Sequence, residues 1–178
     1  MEHKWDPNHS KWKAALEKGM SVKLNGDENI LYLGASSGTT VSFLSGLTTG
    51  TIFAVEKAPL MAIHLVKLAE ERKNIFPVFI DARDIEKTKE IIKDTKINIL
   101  FQDIPSKDQI QILKSNAKLI DKDCKLFLSL KTQSISQKSK EETLENVKKE
   151  LEEDFNILEV SELEPFHQKH YFLILSKK

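Results

Sequence analysis

From residue 29 onward the chain alternates short apolar runs with longer amphipathic or charged segments, the pattern of βα units feeding a largely parallel sheet. Seven runs read as strands: NILYLG (29–34), TIFAVE (51–56), FPVFID (76–81), INILFQD (97–103), KLFLSLK (125–131), FNILEVSEL (155–163) and YFLILS (171–176). Between the first six, Thr39–Leu47, Pro59–Lys73, Asp84–Lys93, Lys107–Lys118 and Lys140–Asp154 read as helices. In the last of these Leu144, Val147 and Leu151 recur at helical spacing while Glu and Lys fill a solvated face. Only Glu164–His170 separates the final two strands, too little for a helix, so strand 7 is expected to return antiparallel to strand 6. The expected fold is α/β and Rossmann-like, a seven-stranded, mostly parallel sheet with helices on both faces.

The first 20 residues are different in kind. Ser10–Gly19 reads as a short helix capped by Ser10 and ended by Gly19, an edge or lid element packed through Trp12 and Leu16. With 178 residues and 40% hydrophobic content, the chain is expected to form one domain over 1–178, the helical segment leading into a core over 29–178. Lys plus Arg (27) equals Asp plus Glu (27), which excludes the global positive field of a protein that captures nucleic acid unaided. The lone Cys124 excludes an internal disulfide, and no metal-ligand cluster is expected. No apolar run reaches the roughly 18 residues of a membrane span, and MEHKWDPNHSKWK lacks the apolar core of a signal peptide. An intracellular protein with no membrane partner is expected.

The candidate chemistry starts at the first βα turn, ILYLGASSGTTV, because open α/β sheets bind ligands at the carboxyl ends of their strands. Its pattern is G-x-x-x-G, with Ser36 where a dinucleotide fold would place a second glycine, so a pyrophosphate and an oxidoreductase cofactor are disfavoured. Gly34, Ala35, Ser36, Gly38, Thr39 and Thr40 instead offer a tight turn, free backbone N–H groups and hydroxyls to a nucleoside without a phosphate. Glu56, closing strand 2, is placed to accept ribose hydroxyls, and Asp81, closing strand 3, an adenine amino group. S-adenosylmethionine has that shape. Asp103 ends strand 4, Lys131 ends strand 5, His170 opens strand 7 and Lys11 lies on the N-terminal helix. Each has an ordinary explanation alone, as a cap or a solvated side chain; their convergence near the reactive end of the cofactor would make a site.

The segments LYLGASSGTTVS, FAVE, DAR, FQDIPSKDQ, LSLK and LEPFHQKH, in that order, resemble fibrillarin and its archaeal fibrillarin-like relatives over nearly the whole chain. Trp5-Asp-Pro-Asn-His-Ser-Lys11 is similar to the family's W-N-P-x-R-S-K. The resemblance implies a class I S-adenosylmethionine-dependent methyltransferase fold and an RNA ribose 2′-O-methyltransferase of box C/D guide ribonucleoproteins, acting on rRNA or tRNA. It implies a catalytic set of Lys11, Asp103, Lys131 and His170, and cofactor contacts at Thr39, Thr40, Glu56, Lys57, Asp81, Ala82 and the segment from Asp103 to Ser106. It also implies a Nop-family scaffold protein, a guide RNA with its kink-turn-binding protein, and target RNA as partners. The family's small N-terminal β domain is largely absent and there is no glycine- and arginine-rich tail, which points to an archaeal-type, cytoplasmic protein. Two departures stand out: Lys57 where the family carries an aromatic residue, and Asp103-Ile-Pro-Ser106 in place of D-V-A-Q. The expected division of labour gives Lys131 the proton of the attacking hydroxyl or its developing charge, with Asp103 orienting it. Lys11 adds positive potential, and His170 positions the ribose or its phosphate. The alternative is a catalytically impaired methyltransferase fold kept as a structural subunit of the same particle.

Overall fold

A computed structural model describes residues 4–178. The order of elements is α1 (Lys11–Glu17), β1 (Ile30–Leu33), α2 (Thr39–Leu44), β2 (Ile52–Val55), α3 (Pro59–Glu71), β3 (Ile75–Val78), α4 (Ile85–Ile92), β4 (Ile99–Gln102), α5 (Gln109–Ala117), β5 (Lys125–Lys131), α6 (Thr132–Ile135), α7 (Lys140–Leu151), β6 (Phe155–Glu162) and β7 (His170–Lys177). The strands form one sheet in the order β3-β2-β1-β4-β5-β7-β6, in which β7 runs antiparallel to both of its neighbours. Strand 7 thus pairs with β6 as expected, but it is also inserted beside β5. The reason is burial: β7 is covered on both faces from Tyr171 to Leu175, whereas β6 buries only Phe155 and is otherwise part-buried or exposed. A strand apolar on both faces belongs inside the sheet, and a half-polar one tolerates its edge.

Alternation along each inner strand divides the core into two layers. Leu31 and Leu33 of β1 face a cluster completed by Ile92 of α4, Leu113 of α5 and Leu151 of α7. Ile30 and Tyr32 face the other, with Trp12 of α1, Leu44 of α2 and Leu65 of α3. Cys124 lies in the first layer, where burial pushes its thiol up to about 12, so it behaves as a small apolar side chain. The N-terminal helix is no loose lid. Trp12 is 1% exposed, its ring meets Phe101 and Phe127 edge-on at 5.1 and 5.0 Å, and its indole N–H donates to the Val22 carbonyl at 3.0 Å.

Strand order reverses between β1 and β4, whose first strand pairs with β2 on one side and β4 on the other. Gly34 makes the approach of the two strand ends possible. Its φ is +85°, and a Cβ there would stand 2.5 Å from the Asp103 carbonyl oxygen. The Asp103 N–H in turn donates to the Leu33 carbonyl at 2.9 Å, extending the ladder one residue beyond β4.

Because Trp12 fills the space between α1 and two sheet phenylalanines, Trp12→Ala should cost about 3–5 kcal/mol. The check is the midpoint of chemical denaturation at unchanged slope, and a loss below about 1 kcal/mol would contradict this packing.

Candidate active site

The turn after β1 is built by backbone geometry. Gly38, at φ +89°, caps α2, where a Cβ would lie 2.8 Å from Leu65 and 2.9 Å from Leu68. Ser36 adopts φ +51°, uncommon for a residue with a side chain, and this turns its N–H toward Glu56. The Glu56 carboxylate accepts that N–H through Oε2 at 2.8 Å and the Ala58 N–H through Oε1 at 2.8 Å. Ionised carboxylates have about four acceptor positions, so Glu56 is held in place with capacity to spare.

Two clefts open along this edge. One, of about 510 Å³, runs past Gly34, Glu56, Lys57, Asp81, Ala82 and Ser106 between apolar walls that include Val55, Met61, Ile80 and Ile104. The other, of about 620 Å³, lies between the N-terminal segment and the turn and includes His9, Ala35, Ser36, Thr39 and Phe43. They meet at Lys11, Gly34, Ser36 and Asp103. There Lys11 Nζ stands 3.1 Å from Asp103 Oδ2, with side-chain exposures of 27% and 13%, so the ion pair is partly withdrawn from water.

Several expected contacts resolve differently. Asp103 pairs with Lys11 and not with Lys131, which forms no ion pair among the described residues. Lys131 ends β5 directly opposite His170 in the β5–β7 ladder, which puts both side chains on one face. Neither residue borders the two clefts. Thr40 is buried and gives its hydroxyl hydrogen to Ser10 Oγ at 2.8 Å, while Ser10 also caps α1 by accepting from the Lys13 N–H. Its role is to fasten the N-terminal helix, leaving Thr39 as the exposed hydroxyl of the pair. Strand 3 closes at Val78, so Asp81 and Ala82 stand on the loop beyond it. Ser106 borders the first cleft with its hydroxyl already engaged, accepting from Arg83 Nη2 at 2.9 Å and donating to Asp108.

Burial works against the ionised Asp81 carboxyl, yet hydrogen bonds from the Arg83 amide, Lys57 and the Arg83 side chain hold its pKa below the usual range. The Asp108 side chain raises the Arg83 pKa further, and Arg83 with Ser106 keeps Asp108 ionised far below the ordinary carboxylate value.

The family model described as fibrillarin matches residues 2–178. The chain belongs to the fibrillarin family. It is 41% identical over 172 residues to the fibrillarin-like rRNA/tRNA 2′-O-methyltransferase of Archaeoglobus fulgidus, a match covering 95% of this chain and 81% of that protein. Among solved structures it is similar to a fibrillarin/Nop5p complex, with a TM-score of 0.93 and 39% identity over 98% of this chain and 84% of the other. It is also similar to Aeropyrum pernix fibrillarin in complex with natively bound S-adenosyl-L-methionine, with a TM-score of 0.77 and 30% identity over 96% and 76% of the two chains.

Two residues at this fibrillarin-family site escaped the sequence reading. Gln109 is fully buried; its Oε1 accepts the Lys131 N–H at 3.2 Å and its Nε2 donates to the Ser106 and Lys131 carbonyls, tying the end of β5 to the loop after β4. His167 Nε2 lies 2.8 Å from the Pro7 carbonyl and its ring is 5.8 Å from that of His170, so it straps the N-terminal segment to the β6–β7 connection. Both fall within the motifs FQDIPSKDQ and LEPFHQKH, but their roles could not be read there, because the Lys131 and Pro7 backbone groups they engage are distant along the chain.

Burial, reinforced by the Lys11 charge, lowers the pKa of His167 below 6.5; burial does the same for His170 against the pull of the Gln168 carbonyl. The unfolded chain therefore binds protons first as pH falls, and stability is full above about pH 7 and declines through the mid-6 range and below. Replacing His167 by Gln should flatten that decline, as read by denaturation free energy against pH; an unchanged slope would remove His167 as its source.

Proposed function

We propose that this chain is an S-adenosylmethionine-dependent RNA ribose 2′-O-methyltransferase, the catalytic subunit of a box C/D guide ribonucleoprotein acting on rRNA and tRNA. The carrying observation is the Lys11–Asp103 ion pair at the junction of two clefts, one with the acids of a nucleoside site and one opening toward the N-terminal segment. The first cleft fits the cofactor on its own terms. Its volume lies within the range of small-molecule sites. Val55, Met61, Ile80 and Ile104 give it apolar surface between its charged residues, and Glu56 keeps acceptor capacity beyond the Ser36 and Ala58 amides.

When bound, S-adenosylmethionine supplies a methyl group on a sulfonium already activated for displacement. Glu56 accepts ribose hydroxyls, Asp81 and the Ala82 backbone meet the base, and Gly34, Ala35, Ser36, Gly38, Thr39 and the segment from Asp103 to Ser106 surround the remainder. Thr40 acts indirectly, by holding Ser10 and thus Lys11. The chain's main task is alignment, which can be worth about 7–11 kcal/mol of barrier. Lys131 takes the proton of the attacking 2′-hydroxyl or stabilises its developing negative charge. Lys11 is neutralised by Asp103 and so positions that carboxylate more than it adds free positive potential. His170, next to Lys131, orients the ribose or its phosphate.

The even charge balance supports delegation of target choice to a guide RNA, with a Nop-family scaffold and a kink-turn-binding protein assembling the particle. The exposed Leu60, Ile63 and Val66 of α3 and Phe76 and Phe79 at the adjoining sheet edge suit docking of a protein. No helix among the described residues is long and apolar enough to cross a membrane. A cytoplasmic, archaeal-type setting completes the reading.

Lys131→Ala should lower guided methyl transfer by about 10²–10⁴-fold while calorimetric binding of S-adenosylmethionine stays within twofold, about the scale of error in such a comparison. Loss of both together would assign Lys131 a structural role. Retained transfer would remove it from the reaction and favour another proton acceptor.

A further inference from the structure

Around the first cleft a continuous run of charged hydrogen bonds joins the ends of three consecutive strands. Lys57, after β2, donates to Asp81 Oδ2 at 3.2 Å. Arg83 then holds Asp81 Oδ1 through its amide and Nη1, both at 3.0 Å, and reaches Oδ2 through Nη1 at 3.2 Å. From there Arg83 grips both oxygens of Asp108 at 2.7 Å. Asp81 therefore receives two donors on each oxygen, which fills the roughly four acceptor positions of a carboxylate. A further donor on this carboxylate must displace one already there. The Arg83 contacts are clamped at both ends, whereas Lys57 makes a single bond from a side chain 60% exposed. Lys57 is the replaceable partner.

Resting on the reading of this cleft as the cofactor site, we propose that Lys57 sets base selectivity by competing with the cofactor's exocyclic amino group for Asp81. A 6-amino purine needs the acceptor that Lys57 occupies; a 6-oxo purine presents an acceptor to the Lys57 ammonium itself. Binding of an adenine nucleoside is thereby weakened, and discrimination against a hypoxanthine analogue is reduced. An exposed ion pair can account for up to about a fivefold change in affinity, and salt screens it.

The test is calorimetric titration of the full chain and of Lys57→Met and Lys57→Arg with S-adenosylhomocysteine and S-inosylhomocysteine, two probes without the sulfonium charge. The expected result is about two- to fivefold tighter binding of the adenine probe by Lys57→Met, with little gain for the inosine probe and the parent's behaviour retained by Lys57→Arg. The parent's affinity for the adenine probe should also improve between low salt and about 0.5 M, and that improvement should vanish in Lys57→Met. Equal or weaker binding of the adenine probe by Lys57→Met overturns the proposal and makes the lysine stem a wall of the base pocket. An equal gain for both probes overturns the selectivity claim. Failure of every folded protein to bind either probe overturns the cofactor reading itself, a result distinguishable from the other two.

Discussion

The contact between Lys11 and Asp103 is the constraint on which the site depends, because it joins the N-terminal helix to the sheet where strand order reverses. Both side chains are partly withdrawn from water, so removing either leaves the other's charge without its partner. The surroundings hold the pair in register from three directions. Trp12 anchors α1 against Phe101 and Phe127, Thr40 fastens the helix cap, and His167 straps the Pro7 carbonyl. On the sheet side, Gly34 lets the turn after β1 approach the Asp103 backbone, a distance that no side chain permits. The helix is consequently part of the site wall, although its own seven residues would have little helical stability in isolation.

The same economy governs the rest of the rim. Each acid at or beyond a strand end is oriented before any ligand arrives: Glu56 by two amides, Asp81, on the loop after β3, by Arg83 and Lys57, and Asp103 by Lys11. Glu56, fixed in this way with acceptor positions to spare, needs little reorganisation to meet a polar ligand, which is where preorganised sites gain over water, whereas a further donor on Asp81 must displace one already there. The arrangement also cancels charge locally. With 27 cationic and 27 acidic residues and much of the rim paired, little field extends beyond a Debye length. On the proposed function, target RNA must then be brought to Lys131 and His170 by an assembled particle.

What could be read from the chain was whatever local patterning encodes. The apolar runs marked all seven strands because buried strands must be apolar, and the short Glu164–His170 connection required an antiparallel return. The order of motifs pointed to the fibrillarin family, and Gly34, Glu56, Asp81 and Asp103 were placed on one edge because residues at strand ends have few other places to be. The expected bounds of β1, β2, β4 and β6 ran long, β3 ran past its end, β5 matched and β7 ran one residue short at each end, while the short α6 after Lys131 was unmarked, since a four-residue helix offers no periodicity.

The tertiary structure decided what depends on two distant segments at once. It inserted β7 beside β5, a choice made by comparing the burial of two strands and not by either alone. It gave Asp103 to Lys11 instead of Lys131, turned the Thr40 hydroxyl toward Ser10, and brought Gln109 and His167 to backbone groups that no local pattern announces. It also aimed Lys57 at Asp81, making one departure from the family pattern into a specific hydrogen bond. A sequence determines which side chains must be buried and which turns must be tight, because those follow from solvation and sterics along the chain. Which donor meets which acceptor is settled only when packing fixes their separation.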